Sequence, residues 1–571
     1  MTRGTEGGRA RVPRAEPLSR RAAAGLLTLA LGVACTIAGD AGAPGSGGDQ
    51  ARGPVPGPPP TAVRATGSCA GLGRLVARIR RGYVPFASPD LMLIPRAPNY
   101  VGSPSIPPHS GPWDYLARVP LVFYGPGVIA RSGPLRGPAT TADIAPTLAS
   151  LVGFQGWPAR AGRRLGRVVS SRERPPRLVV VVVWDGGGWN ALRRHPSAWP
   201  HLRRMSRRGA SFTRMVIGSS PSVTAPVHAT LGTGAWPRAH GVPALNVRTP
   251  EDDYTDPLLY LDPSALRLPT LADLYDVAAD NEPVVGMLAS ANWHLGMIGH
   301  GAAHPGGDRD PVVLLDEDGR TYSNETIYSL PPIDDPARLE SLTRALDETD
   351  GRADGAWGSF TLEDDLFVKK GNPARVAYEQ HLIERFIVAA RFGADEQPDV
   401  LFVNFKATDE AGHRWGPSSW QVGRVITAQD RALARLTNFL NRSVGRRRWA
   451  VVVTADHGQM PYRAESGAWP IAGGELLRDI NARFDGDGDG IEVAGRVVSS
   501  GVYLHRSEVA DNGLRPAAIA RWVGAYTVGQ NAQGEMPQAW RGRAQEALFQ
   551  AVMVRRRVAA RSCSRGRDTD S

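Results

Sequence analysis

The chain has 571 residues, 42% of them hydrophobic and 22% charged, a composition that buries at least one large core and excludes a disordered chain. Its formal net charge is +11, from 67 basic against 56 acidic residues, yet only Lys369, Lys370 and Lys406 are lysines. No basic helix with interleaved aromatics accompanies the arginines, so nucleic-acid binding is not expected. The late cluster "VRRRVAARS" reads as a solvated face or loose tail.

In chain order, Arg3, Arg9, Arg11, Arg14, Arg20 and Arg21 precede the apolar run "AAAGLLTLALGVACTIAG", which small residues follow. This basic–apolar–small order over residues 1–39 predicts an export signal, twin-arginine in type or retained as a membrane anchor, and hence an exported or cell-envelope protein. Cys35 is read as an ordinary residue of that signal. Residues 40–66 are too rich in Pro and Gly to pack and form a linker. Beyond them, short β-branched runs alternate with amphipathic stretches. That pattern predicts an α/β fold with a mostly parallel central sheet and helices on both faces.

The clearest strands are "VPLVFYG", "RLVVVVVWD", "VLFVNF" and "WAVVVTAD", each nearly all apolar, as in a sheet covered on both sides. Helices are predicted over "TTADIAPTLASLVG", with Thr141 or Asp143 near its cap, "PARVAYEQHLIERFIVAARFG" and "QVGRVITAQDRALARLTNFLNR". Several strands run into an acid: Asp185, then Asp409 in "VNFKATDEAGH", then Asp456 beside His457. Ligands bind beyond the carboxyl ends of such strands, so the three acids and their histidines converge on a metal site.

Asp409 and His413 are four apart, so in a helical turn both point one way, and carboxylate with imidazole suits zinc or a similar ion. Taken alone, the pair is equally a cap and a surface histidine. Asp456 and His457 sit where a strand turns and both can reach one ion. In "SSPSVTAPVHATLGTG", Thr224 stands just ahead of a helix, where a hydroxyl meets unpaired N–H groups and a dipole that favours an anion. Local sequence allows it to be simply an N-cap, and Ser222 is the nearest competitor as nucleophile. "DGDGDG", from Asp485 to Gly490, begins like a calcium loop, but Arg496 stands where the bidentate Glu belongs, so it reads as a flexible acidic turn.

"WDGGG", "PSVTAPVHATLGTGAWPRAHGV", "DEAGH" and "TADHG" resemble, in order, motifs of the alkaline phosphatase superfamily, and most of all its type I phosphodiesterase and nucleotide pyrophosphatase branch. The resemblance implies that Thr224 is the nucleophile. One metal would be held by Asp185, Asp456, His457 and the Thr224 oxygen, and the other by Asp409, His413 and one further histidine. Two divalent ions, most readily Zn2+, are the implied cofactors. Asn246 resembles the phosphate-contacting asparagine, with its spacing shifted by about one residue.

The family supplies the further histidine after "DHG", where this chain has only His505 in "VYLHRSE", on a peripheral strand. A matching stretch stands instead near the start: "PPHSGPWDYLARVPLVFYGPGV", then "ATTADIAPTLASLVG", preceded by "RRGYVPFASPDLMLIPRAPNY". The resemblance therefore implies a circularly permuted order with His109 as the missing ligand. Residues 67–169 would be the family's C-terminal part, 170–177 the join, 178–560 the main part of the same domain and 561–571 a tail. Cys69 and Cys563 would flank the new ends, as a disulfide or as two free thiols.

The implied substrate is a small phosphate ester, cleaved through a phospho-threonine. Monoester specialists carry a Lys-x-Arg pair in a segment resembling "MLASANWHLGMIGHGA", where this chain has Asn292 and His294; that departure favours a phosphodiester or pyrophosphate bond. A phosphomonoesterase and a catalytically idle envelope protein on the same fold are the alternatives.

Overall fold

The computed structural model describes residues 69–169, 174–250, 253–363, 365–532, 536–555 and 558. The expected signal or anchor, the linker, Cys563 and the side chain of Cys69 lie outside the described residues. Among those described, no helix is long and apolar enough to cross a membrane.

The strands that matter, in chain order, are β1 (Leu91–Pro95), β2 (Leu121–Tyr124), β3 (Gly133–Thr140), β4 (Leu178–Trp184), β5 (Ala210–Val216), β6 (Val285–Ala289), β7 (Val312–Leu315), β8 (Thr321–Tyr322), β9 (Asp399–Phe405), β10 (Trp449–Thr454), β11 (Ala494–Val498), β12 (Gly501–Leu504) and β13 (Phe549–Val554). Nine of them form one sheet in the order β8-β7-β6-β9-β4-β10-β2-β5-β3. β7, β6, β9, β4 and β10 pair in parallel, with Leu178 opposite both Asp399 and Trp449. The expected mostly parallel sheet is therefore present.

Side-chain alternation explains why β4 must be central. Val179, Val181 and Val183 enter one hydrophobic cluster, while Leu178, Val180, Val182 and Trp184 enter the other. A strand that feeds two cores has no polar face, so its sequence is an unbroken apolar run. β9 and β10 divide the same way, and so does β2, with Leu121 and Phe123 on one face and Val122 on the other.

β2 runs against the parallel strands. It pairs antiparallel with β10, Val122 opposite Val453, and antiparallel with β5. An apolar run reports burial on both faces but carries no strand direction. A second, four-stranded antiparallel sheet, β11-β12-β1-β13, sets Leu91 between Val502 and Val554. The segment before residue 170 is thus built into both sheets.

Four helices matter here: α1 (Thr224–Thr233), which carries Thr224; α2 (Pro373–Ala389); α3 (Ala407–Trp415), which carries Asp409 and His413; and α4 (Trp420–Leu440), with α2, α3 and α4 sharing one hydrophobic cluster. α2 and α4 match the predicted helices. In the predicted helix near residue 141, a 3-10 turn Thr141–Asp143 leads into the α-helix Ile144–Leu151, whose N-cap is Asp143, as expected; Thr140 caps the turn, its amide donating to Asp143 Oδ2 at 2.8 Å.

Candidate metal centre

β4 and β10 end side by side, and so do β4 and β9, which brings Asp185, Asp456 and the start of α3 to one sheet edge. Asp185, Asp456 and His457 offer one ligand atom each within 4.8 Å of one another; so do His109, Asp409 and His413. His109 Nε2 and His413 Nε2 each lie 3.5 Å from Asp409 Oδ1. His457 Nε2 stands 3.2 Å from Asp456 Oδ2 and 3.4 Å from Asp185 Oδ1. The His109 and His457 rings stack at 3.5 Å, so the two sets abut.

Proton accounting shows that these groups fit metal ions. His109 Nδ1 is 2.7 Å from the Ser222 carbonyl, and His457 Nδ1 is 3.1 Å from that of Gly458. A carbonyl only accepts, so in the neutral form that binds metal each ring carries its proton on Nδ1 and turns the Nε2 lone pair towards carboxylates; without a metal, burial is outweighed by Asp456 and Asp185, which hold the His457 pKa well above that of an ordinary histidine. In the neutral form acceptors face acceptors. Asp409 Oδ1, Asp456 Oδ2 and His457 Nε2 are buried with no hydrogen bond. Such a set is costly unless a cation lies among the lone pairs, and backbone carbonyls on Nδ1 are the usual support of a metal-bound imidazole.

Thr224 is 2% exposed. It is the first residue of α1, and the N-cap is Val223, so the alternative reading of Thr224 as a cap gives way. The Ser222 hydroxyl is turned to the carbonyls of His109 and Gly111, which ties the His109 loop to the Thr224 loop.

Lys406, missed by sequence reasoning, fills the middle of the pocket. Its Nζ lies 2.7 Å from Asp409 Oδ2, 3.1 Å from Asp185 Oδ1 and 3.4 Å from Thr224 Oγ1. Burial opposes its charge, but Asp185 and Asp409 outweigh burial and hold its pKa well above that of an ordinary lysine. The same contact works in reverse on the acids: against burial, Lys406 keeps both carboxyls below their usual range. Burial and then the neighbouring His457 press His109 well below an ordinary histidine.

His228 and His294 were also missed as site residues. Both are fully buried and join Asp185 in a third group whose ligand atoms lie within 4.8 Å. His294 Nε2 is 3.3 Å from Asp185 Oδ2, which also accepts from Asn404 Nδ2 at 3.1 Å. Asn292 is pinned by Asp256 and Leu258, both at 2.9 Å. The amide oxygen of Asn246 accepts from Arg496 at 2.9 Å.

The sequence model of the type I phosphodiesterase / nucleotide pyrophosphatase family matches residues 179–543. The chain is 26% identical over 402 residues to alkaline phosphatase PafA of Elizabethkingia meningoseptica, covering 61% of this chain and 72% of that one. It is 21% identical to alkaline phosphatase PhoV of Synechococcus elongatus, over 54% of this chain and 64% of the relative. With PhoK of Sphingomonas sp, the values are 23%, 52% and 58%. A crystal structure of wild-type PafA superposes with a TM-score of 0.49 at 18% identity, covering 67% of this chain and 85% of that one.

Proposed function

The chain belongs to the type I phosphodiesterase / nucleotide pyrophosphatase family, and we propose that it hydrolyses phosphodiester or pyrophosphate bonds with Thr224 as nucleophile. The observation that carries this is the position of Thr224 Oγ1, on the same ammonium that joins Asp185 of one ligand set to Asp409 of the other.

His109, Asp409 and His413 would hold one divalent ion; Asp185, Asp456, His457 and the Thr224 oxygen would hold the second, zinc suiting this nitrogen and oxygen set. When bound, such a pair supplies Lewis-acid stabilisation of the attacking and leaving oxygens. The chain's own residues do the rest. The N-terminus of α1 presents backbone amides and the positive end of its dipole to the phosphoryl group. Thr224 Oγ1 gives up its proton to water and attacks phosphorus in line; the P–O bond to the leaving group breaks, the leaving oxygen takes a proton from water and a phospho-threonine forms. Water then cleaves the Thr224–phosphorus bond and restores the hydroxyl. Lys406, anchored on Asp409 Oδ2, donates to a non-bridging oxygen.

A singly charged phosphoryl group suits this pocket. Asn292 is neutral and pinned, and His294 is turned onto Asp185, so neither position offers a second cation beside Thr224. This supports the diester reading over the monoester one.

The permuted order belongs to the same proposal. The family match begins at residue 179, yet His109 and two strands of the large sheet come from before it. We also propose export, from the order of the first 39 residues.

The test uses zinc-loaded protein on an aryl phosphodiester and an aryl phosphomonoester. Diester turnover should exceed monoester turnover, acid quenching should trap a phosphorylated Thr224 peptide, and Thr224→Ala should lose at least about 1,000-fold in kcat. Full turnover by Thr224→Ala would end the proposal, and a metal-loaded but inert wild type would favour the idle envelope protein.

A further inference from the structure

Away from the metal centre, the "DGDGDG" turn acquires a partner that its sequence does not contain. It follows the helix Gly473–Phe484, and Asp487 and Asp489 are exposed on it. The short helix Arg506–Asp511 presents Glu508 to the turn, and one carboxylate oxygen from each of Asp487, Asp489 and Glu508 lies within 4.8 Å of the other two. Glu508 is only 3% exposed, and its Oε2 is buried with no hydrogen-bond partner. A buried carboxylate with one oxygen left bare, beside two more carboxylates, is unfavourable without a cation.

The remaining bonds fix these groups in place. Asn512 accepts from the Gly486 amide at 3.0 Å and donates to Asp487 Oδ2 at 2.7 Å, tying the turn to the helix that carries Glu508. Asp487 Oδ1 accepts from the Asp489 amide at 3.3 Å, and Asp489 Oδ1 from that of Ile491 at 2.8 Å.

We propose that Asp487, Asp489 and Glu508 form a calcium site, Glu508 supplying from another helix the acid that Arg496 displaces from the turn's twelfth position. An all-oxygen, carboxylate-rich set is hard and excludes zinc's preferred partners. The open side at the two exposed aspartates leaves room for water ligands and for the loose, high coordination that calcium accepts and magnesium does not. The ion clamps the turn onto the helix Arg506–Asp511 and so braces β11 and β12, which lie between them in the chain.

The test titrates calcium chloride into full-length protein dialysed into calcium-free buffer containing zinc. One calcium should bind per chain, half-saturating between about 10 µM and 1 mM, and raise Tm by about 2 °C or more. Glu508→Gln and Asp489→Asn should each lose both signals with diester turnover unchanged, and magnesium chloride should give a smaller shift. Neither heat nor shift up to about 10 mM calcium, or an equal shift in Glu508→Gln, overturns the proposal. Asp489 is exposed, so its variant carries the test if the Glu508 variant does not fold.

Discussion

At the residue scale, Lys406 sets the charge of the pocket. Three carboxylates, Asp185, Asp409 and Asp456, meet there with one lysine among them. Lys406→Met should lower diester kcat/KM by about 100-fold, the usual cost of a preorganised donor, while zinc content by mass spectrometry stays at the wild-type level. Lys406→Arg should recover part of the loss. A parallel loss of metal in the methionine variant would reduce Lys406 to a scaffold.

A second residue governs stability against pH. Burial, then Asp308 and Asp273, raise the Asp276 carboxyl from 3.8 to about 7, and its Oδ1 has no hydrogen bond. The folded chain keeps this proton where the unfolded chain has released it. Stability from this group therefore falls as pH rises from about 4 to about 7 and stays lost above. Asp276→Asn should flatten that slope and be more stable than the parent at about pH 8, with less difference at about pH 5. Urea unfolding at both values checks the sign.

At the scale of elements, the site depends on how closely the turn after β4 approaches α3. Gly186 has φ +66°, and a Cβ there would lie 2.9 Å from Asp409 Cα. Its amide also donates to Asp456 Oδ1 at 3.1 Å. Gly186→Ala should cost about 1–2 kcal/mol for the left-handed backbone alone and push Asp185 away from Asp409. Reduced zinc content and a lower Tm in the same variant would register both effects.

This is also the scale at which the sequence was most legible. β4, β9 and β10 announce themselves because strands buried on both faces must be apolar throughout, and the acids at their ends mark the sheet edge. Strand direction did not follow, as β2 shows, since burial is the same either way. Lys406 escaped notice because its partner Asp185 is 221 positions away, and a charge where a strand meets a helix ordinarily reads as solvated. Glu508 escaped for the same reason: its aspartates belong to another element.

At the scale of the molecule, residues 69–169 and the later chain form one body. The earlier part provides β1 to the small sheet, β2 and β3 to the large one, and His109 to the candidate metal centre. A protease site inserted at 170–173 and cut in the folded protein should leave two pieces that co-elute on gel filtration, keep their zinc and part only in denaturant. Separation under native conditions would show that the contacts across the two sheets are too weak to stand in for the covalent join.

β1 imposes a schedule on synthesis. Both its neighbours, β12 and β13, are translated more than 400 residues later, so on the ribosome its two edges wait unpaired for about 20 to 80 s at ordinary elongation rates. A bare strand of that composition invites association with other nascent chains. Yield should therefore depend on holdase chaperones and on elongation speed far more than the stability of the finished protein would indicate.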